Sequence, residues 1–288
     1  MVYHKEIEIR ESRVFLTMVS ADHFQAYIIP CIMAIRTWSN DEIVVLVKGK
    51  LRQRTKNALA MCGYKGIKIV EDYAVDYPDN PSTVSCLRFI KGYEHVRNNL
   101  FTMIIDCDLM LFEDLWQWHF ERLTSKSPFA GRHGARKKPV RKDICDSWEG
   151  PFERVCGGII CVRFDWWERT LAARRRHNEL VKLGLEGRYR EEDEVVLAKI
   201  IKESGLDIPE SKEFPSILRG IHFGDFKFNK RVNDKSKMVR ILNPRSIIKF
   251  MRLSSTEKWK SIIEELNDDQ LNIILKKVHS FIGENNAV

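Results

Sequence analysis

Apolar runs of strand length recur along this chain and alternate with segments of helical period, and few architectures tolerate that alternation. Residues 14–20 (VFLTMVS), 42–48 (EIVVLVK), 66–70 (GIKIV), 101–105 (FTMII) and 157–164 (GGIICVRF) are nearly continuous in apolar character. Strands of that kind are covered on both faces, as in a parallel sheet between layers of helices. The intervening segments fit the covering helices: 22–38, with Asp22 placed as an N-cap, the basic LRQRTKNALAMCG that stops at Gly63, 85–98 and 165–183. Gly63 stands where a helix end favours a left-handed residue. The pattern predicts an α/β chain with a mostly parallel, doubly wound sheet flanked by helices.

The character changes after residue 124. Residues 125–150 hold seven Lys or Arg, three Gly and two Pro, which predicts extended structure and a loop. A further helix is expected over 191–203, with Val195, Val196, Ala198, Ile200 and Ile201 available for burial. From about residue 243 the sequence is amphipathic at helical period. The expected partition is one catalytic domain over 1–242 and a C-terminal helical appendage over 243–288 packed on it.

Composition removes several classes. With 44% apolar residues the 288-residue chain can bury a core, so global disorder is excluded. No apolar run approaches the roughly 18–20 residues of a membrane span, and the first thirteen residues are too polar for a secretory leader. The seven cysteines are odd in number and form no CxxC, which suits buried thiols in a reducing compartment. A cytoplasmic location is expected, with peripheral attachment at the inner membrane face as the second option. The formal charge of +8 suits an anionic substrate, nucleic acid or acidic lipid without choosing among them. The sequence says nothing about oligomeric state.

The most informative stretch is MIIDCDLMLFED, in which a buried strand ends in Asp106-Cys107-Asp108. Alternate residues of an extended segment share a face, so both carboxylates can point the same way. Ligands of open α/β sheets bind at the carboxyl ends of strands, where this pair falls. Two carboxylates there repel unless a cation lies between them. Carboxylate oxygens suit a hard divalent ion such as Mn²⁺ or Mg²⁺, which can also hold a diphosphate.

At this point the chain resembles the nucleotide-sugar glycosyltransferases of the GT-A (Rossmann-like) fold, and among them glycosyltransferase family 8. VSADHFQAYIIPCIMAIRTW is similar to the family's first strand and nucleotide-binding loop, and CLRFIKGYEHVRNNLFTMIIDCDLMLFEDL to the segment around its metal-binding DxD. VCGGIICVRFDWW resembles the strand that usually reads N-x-G-V, with Cys156 in place of the asparagine. REEDEVVLAKII resembles the acidic helix start, and GIHFGDFK the late His-Gly-Lys signature without its Pro-Trp ending. These segments cover roughly residues 14–230.

The resemblance implies a metal-dependent hexosyltransferase that uses a nucleotide diphosphate sugar, a UDP-sugar first, with retention of anomeric configuration. It implies Asp106, Asp108 and His222 as metal ligands for Mn²⁺ (or Mg²⁺) and Lys227 as a phosphate contact. Ala21, Asp22 and Tyr27 would lie near the nucleoside, and Arg88 near the sugar or diphosphate. The backbone at Gly157 and Gly158 would pass close to the donor sugar. Asp193, with Glu192 and Glu194 beside it, would lie near the anomeric carbon; which of the three acids faces the sugar stays open.

The acceptor is a hydroxyl on a saccharide or glycolipid, or on another anionic molecule. The basic loop 136–143 and the run Arg174-Arg175-Arg176 leave open a nucleic-acid acceptor with hydroxylated bases. The C-terminal segment could dock on the domain or make a peripheral membrane contact. A non-catalytic nucleic-acid-binding protein is the rival from another class, although no helix-turn-helix, zinc finger or RNP motif supports it. A nucleotidyltransferase would normally carry a glycine-rich loop after the first strand, and VSADHFQAY has none.

Overall fold

The computed structural model describes residues 10–20, 24–133, 155–188, 192–207, 220–227 and 243–285. Its centre is a six-stranded sheet of β1 (Arg10–Ser20), β2 (Glu42–Lys48), β3 (Ile67–Val70), β4 (Asn99–Ile105), β6 (Phe129–His133) and β7 (Val155–Arg163). The strand order is β3-β2-β1-β4-β7-β6. The pairs β1–β2, β1–β4 and β2–β3 are parallel, whereas β7 runs antiparallel to both β4 and β6. The sheet is therefore mostly parallel, with β7 as the reversed strand. β5 (Leu109–Leu111) and β8 (Gly220–His222) form a separate antiparallel pair.

Side-chain alternation divides the core into two layers. Phe15, Val19, Val45, Val47, Met103 and Ile105 face α1 (Ile28–Ile35). Val14, Leu16, Met18, Val44, Leu46 and Ile104 face α3 (Pro81–Ile90), α7 (Leu171–Lys182) and α8 (Glu192–Glu203). α2 (Gln53–Cys62) ends on Gly63 at φ 62°, the left-handed cap its sequence position asks for. Asn80 caps α3 by accepting from the Thr83 amide, with Pro81 opening the helix.

The helix expected over 85–98 is instead two, α3 and the short α4 (Tyr93–Val96), divided at Gly92, where a side chain would collide with Leu16. The single helix expected over 165–183 is likewise α6 (Phe164–Arg169) followed by α7, with Thr170 between them. A five-residue helix, α5 (Trp116–Phe120), follows β5, and α9 (Phe223–Lys227) follows β8. Asp22 and the loop 136–143 lie outside the described residues.

The chain closes with α10 (Pro244–Ser254), α11 (Glu257–Leu266) and α12 (Asp269–Asn285). Phe250, Trp259, Ile262, Leu271, Val278 and Ile282 bury their side chains in the same core layer as α1. Phe250 meets Phe112, and Phe281 meets Phe226 of α9. α10 and α12 thus lie behind the β5–β8–α9 segment, while α11 packs on α2, where Asn57 meets Glu265 and Lys258 donates to the Cys62 carbonyl. Among the described residues, no helix is long and apolar enough to cross a membrane.

Arg174 departs from the basic surface expected of the 174–176 run. It is buried, and its guanidinium donates to the backbone carbonyls of Ile90 and Trp167 and to the Thr170 hydroxyl. It also stacks beside Tyr93 and Trp167. The carbonyl end of α3 needs donors, and Arg174 provides them from α7. Arg175 and Arg176 stay exposed.

Candidate active site

The carboxyl edge of the parallel strands gathers ionisable side chains from four parts of the sequence. Asp106 leaves β4 with its amide bonded to the Gly158 carbonyl at 2.9 Å. Asp108 ends the turn into β5, whose register sets Leu109 opposite His222 and Met110 opposite Ile221. The Phe223 amide donates to the Asp108 carbonyl at 2.9 Å. That small sheet brings His222 Nε2 to 3.3 Å from Asp108 Oδ1. One ligand atom each from Asp106, Asp108 and His222 lies within 4.8 Å of the others.

The donor set fits a divalent cation. Neighbouring ligands of an octahedral ion with bonds near 2.1 Å stand about 3 Å apart, close to the observed His222–Asp108 spacing. Two carboxylates and an imidazole suit Mn²⁺ or Mg²⁺ and leave coordination positions for other oxygens. Gly224 keeps the cluster open: a Cβ there would stand 2.9 Å from His222 Cε1, 3.0 Å from its Nε2 and 3.3 Å from Asp108 Oδ2. Burial works against the Asp108 charge, but the facing His222 ring outweighs it and holds the Asp108 pKa below its usual value.

Arg88, at the end of α3, ties this cluster to α8. Its side chain is only 3% exposed, it donates to Asp106 Oδ1, and its Nη2 lies 3.8 Å from Asp193 Oδ2. Burial pulls its pKa down, but the two carboxylates more than compensate and keep it charged. Asp193 is pushed up to about 6 by burial, with Asp106 adding to the rise and Arg88 opposing it. Its side chain remains 15% exposed.

The helix phase separates the three neighbouring acids. Asp193 faces Arg88, whereas Glu192 is buried and accepts from the Arg188 amide at 2.7 Å, closing the helix start. Glu194 is half-buried, one residue further along α8. A Cβ on Gly157 would stand 3.1 Å from Arg88 Nη2 and 3.4 Å from Asp193 Oδ2. The missing side chain at Gly157 therefore leaves room for the Arg88–Asp193 contact.

Tyr27 is buried with its ring 5.7 Å from Phe223, beneath the His222 segment. Burial, with Asp268 and Asp108 nearby, raises its pKa to about 12. Ala21, Asp22 and the side chain of Lys227 lie outside the described residues. Gly224 is the glycine of the late His-Gly-Lys signature, but its part in keeping the cluster open was not legible there. Its local signal is a glycine directly after Phe223, two residues past the candidate ligand His222, in HFGDF.

No protein-family model matches the chain, and no curated protein matches it in sequence. Among solved structures it is similar to the galactosyltransferase LgtC in complex with donor and acceptor sugar analogues. That match has 10% identity and a TM-score of 0.51, over 86% of this chain and 99% of that one. The apo bifunctional glycosyltransferase WbbM matches at 14% identity and a TM-score of 0.49, over 93% of this chain and 52% of that one. The glycosyltransferase GlyE of Streptococcus pneumoniae TIGR4 matches at 10% identity and a TM-score of 0.46, over 95% of this chain and 64% of that one. The likeness to LgtC takes in nearly all of that structure, and it is the one that identifies the architecture: this chain has the GT-A fold.

Proposed function

We propose that this protein transfers a hexose from a nucleotide diphosphate sugar, a UDP-sugar first, to a hydroxyl of a saccharide or glycolipid, with retention of anomeric configuration. The observation that carries the reading is the convergence of Asp106, Asp108, His222, Arg88 and Asp193 on one edge of a GT-A sheet. The likeness to an enzyme solved with donor and acceptor sugar analogues supports it.

In this reading Asp106, Asp108 and His222 hold a divalent cation, which when bound supplies positive charge to the departing diphosphate. Arg88 holds the Asp106 carboxylate in place and, being buried and charged, adds a fixed positive field at the same edge. Asp193 presents a carboxylate to the sugar hydroxyls or the anomeric carbon as that carbon becomes cationic. Lys227, on α9 shortly after His222, contacts the diphosphate. Front-face attack needs no separate protein base, so the acceptor hydroxyl can pass its proton to the leaving oxygen.

The test is turnover of a panel of nucleotide sugars with Mn²⁺, read as released nucleoside diphosphate and as the anomeric configuration of the product. Metal-dependent release with at least one donor, abolished in a folded Asp108→Ala variant, is expected. Full turnover by that variant would sink the assignment.

A further inference from the structure

A lysine and an aspartate at the same sheet edge are left unused by that reading. Lys48 ends β2, where it pairs with Ser20 of β1. Val44 and Leu46 face the α3 layer, and Lys48 continues that alternation. Its ammonium lies 3.5 Å from Asp79 Oδ1, in the segment leading into α3, which fixes the side on which it emerges. Asp106 meets Arg88 of α3, so it projects to the same side. In the order β2-β1-β4 only one strand separates them.

The register pairs Leu16 with Ile104 and Ser20 with Lys48, placing Lys48 about two residues further out than Asp106. With strands ~4.8 Å apart and a rise of ~3.3 Å per residue, the two Cα atoms stand roughly 12 Å apart. That is about the reach of a nucleoside from its own diphosphate. The Lys48 side chain is only 10% exposed, and Asp79, its partner, is 42% exposed. Largely withdrawing an ammonium from water against one half-solvated carboxylate is costly, and its three donors can serve more than that single contact.

We propose that Lys48 and Asp79 read the nucleoside of the donor, and this rests on the donor site described above. Lys48 donates to a carbonyl oxygen of the base, and Asp79 accepts from a ribose hydroxyl. An ammonium has donors and no acceptor, so it favours a base that offers a carbonyl, such as uracil or guanine. Adenine has no carbonyl; its acceptors are ring nitrogens that stand further back, and its exocyclic group is a donor, so an ammonium placed for a carbonyl oxygen meets it less well. The pair thereby sets nucleotide choice, separately from the residues that hold the diphosphate.

The experiment titrates wild type, Lys48→Met and Asp79→Asn with UDP, ADP and inorganic pyrophosphate, each with Mn²⁺. Wild type is expected to prefer UDP over ADP. A hydrogen bond to a charged group corresponds to a loss of about 10–100-fold, so Lys48→Met should weaken UDP by that factor. Its UDP-over-ADP preference should collapse while pyrophosphate binding stays unchanged. Asp79→Asn, at an exposed position with little bearing on folding, should weaken UDP but not pyrophosphate. An unchanged UDP-to-ADP ratio in Lys48→Met, or equal losses for UDP and pyrophosphate, overturns the proposal and leaves the metal–diphosphate site standing. Failure of wild type to bind pyrophosphate with Mn²⁺ overturns the donor site and this inference with it.

Discussion

Replacing Gly224 with alanine perturbs the candidate metal site without deleting a ligand. The new methyl carbon would stand 2.9 Å from His222 Cε1 and 3.0 Å from Nε2, against ordinary carbon contacts of about 3.5–4.0 Å. The imidazole must therefore retreat by about 0.5 Å or more. Asp108 Oδ2, at 3.3 Å from the same point, closes the opposite direction. Ligand distances in a working site hold to about ±0.2 Å, so the displacement exceeds the tolerance at least twofold. Changes that misplace a ligand typically cost about 10–100-fold in metal affinity, or ~1.4–2.7 kcal/mol. Gly224 is half-buried and its backbone is not left-handed, so the fold should persist. Mn²⁺ titration followed by electron paramagnetic resonance of the free ion, with thermal melting as the fold control, reads the effect. A folded Gly224→Ala variant that binds Mn²⁺ within twofold of wild type would show that the added methyl does not displace a metal ligand.

Further predictions follow from other residues. Asp193 titrates at about 6 because burial disfavours its charge, so kcat/KM for the donor should fall about tenfold per pH unit below that value. Asp193→Asn should flatten this acidic limb; an unchanged limb would place the titrating group elsewhere. Glu186 is buried between His177 and Lys199, at 2.5 and 2.6 Å, and although burial pushes its pKa up, those two partners bring it below the usual value. Its stabilisation is thus complete above the unfolded value of about 4.3 and is lost as pH falls through the lower folded value. Glu186→Gln should cost about 3 kcal/mol at pH 7 by chemical denaturation, a difference that vanishes in acid. Arg174→Met should lower Tm by removing three buried hydrogen bonds while leaving acceptor KM and its salt dependence unchanged. A salt-sensitive rise in KM would restore Arg174 to an acceptor surface.

The architecture was legible wherever a local pattern determined it. Nearly continuous apolar runs marked β1, β2 and β4, Gly63 marked the end of α2, and amphipathic period marked the C-terminal region as helical, though not its division into three helices at the Asn243 and Thr256 caps. The reversed direction of β7 was not legible, because GGIICVRF buries equally well in either direction between β4 and β6. Asp106 and Asp108 could be picked out because they end an apolar strand. What joins His222 to them is a pairing of two three-residue strands, too short to leave a pattern and far apart in sequence. Glu192, Asp193 and Glu194 could be told apart only by helix phase, which turns Glu192 back to the Arg188 amide and Asp193 towards Arg88. Arg174 misled in the opposite sense: a cation within a basic run reads as surface, and only the carbonyls of Ile90 and Trp167 explain its burial.

The proposed donor site depends on Asp106, Asp108 and His222 holding a cation that binds a nucleoside diphosphate. Calorimetric titration with UDP and GDP, with and without Mn²⁺, on wild type and Asp108→Ala, tests it most directly. Binding should require Mn²⁺ and disappear in the folded variant. Binding that ignores both the metal and the substitution, or no binding of either nucleotide to wild type, would contradict it.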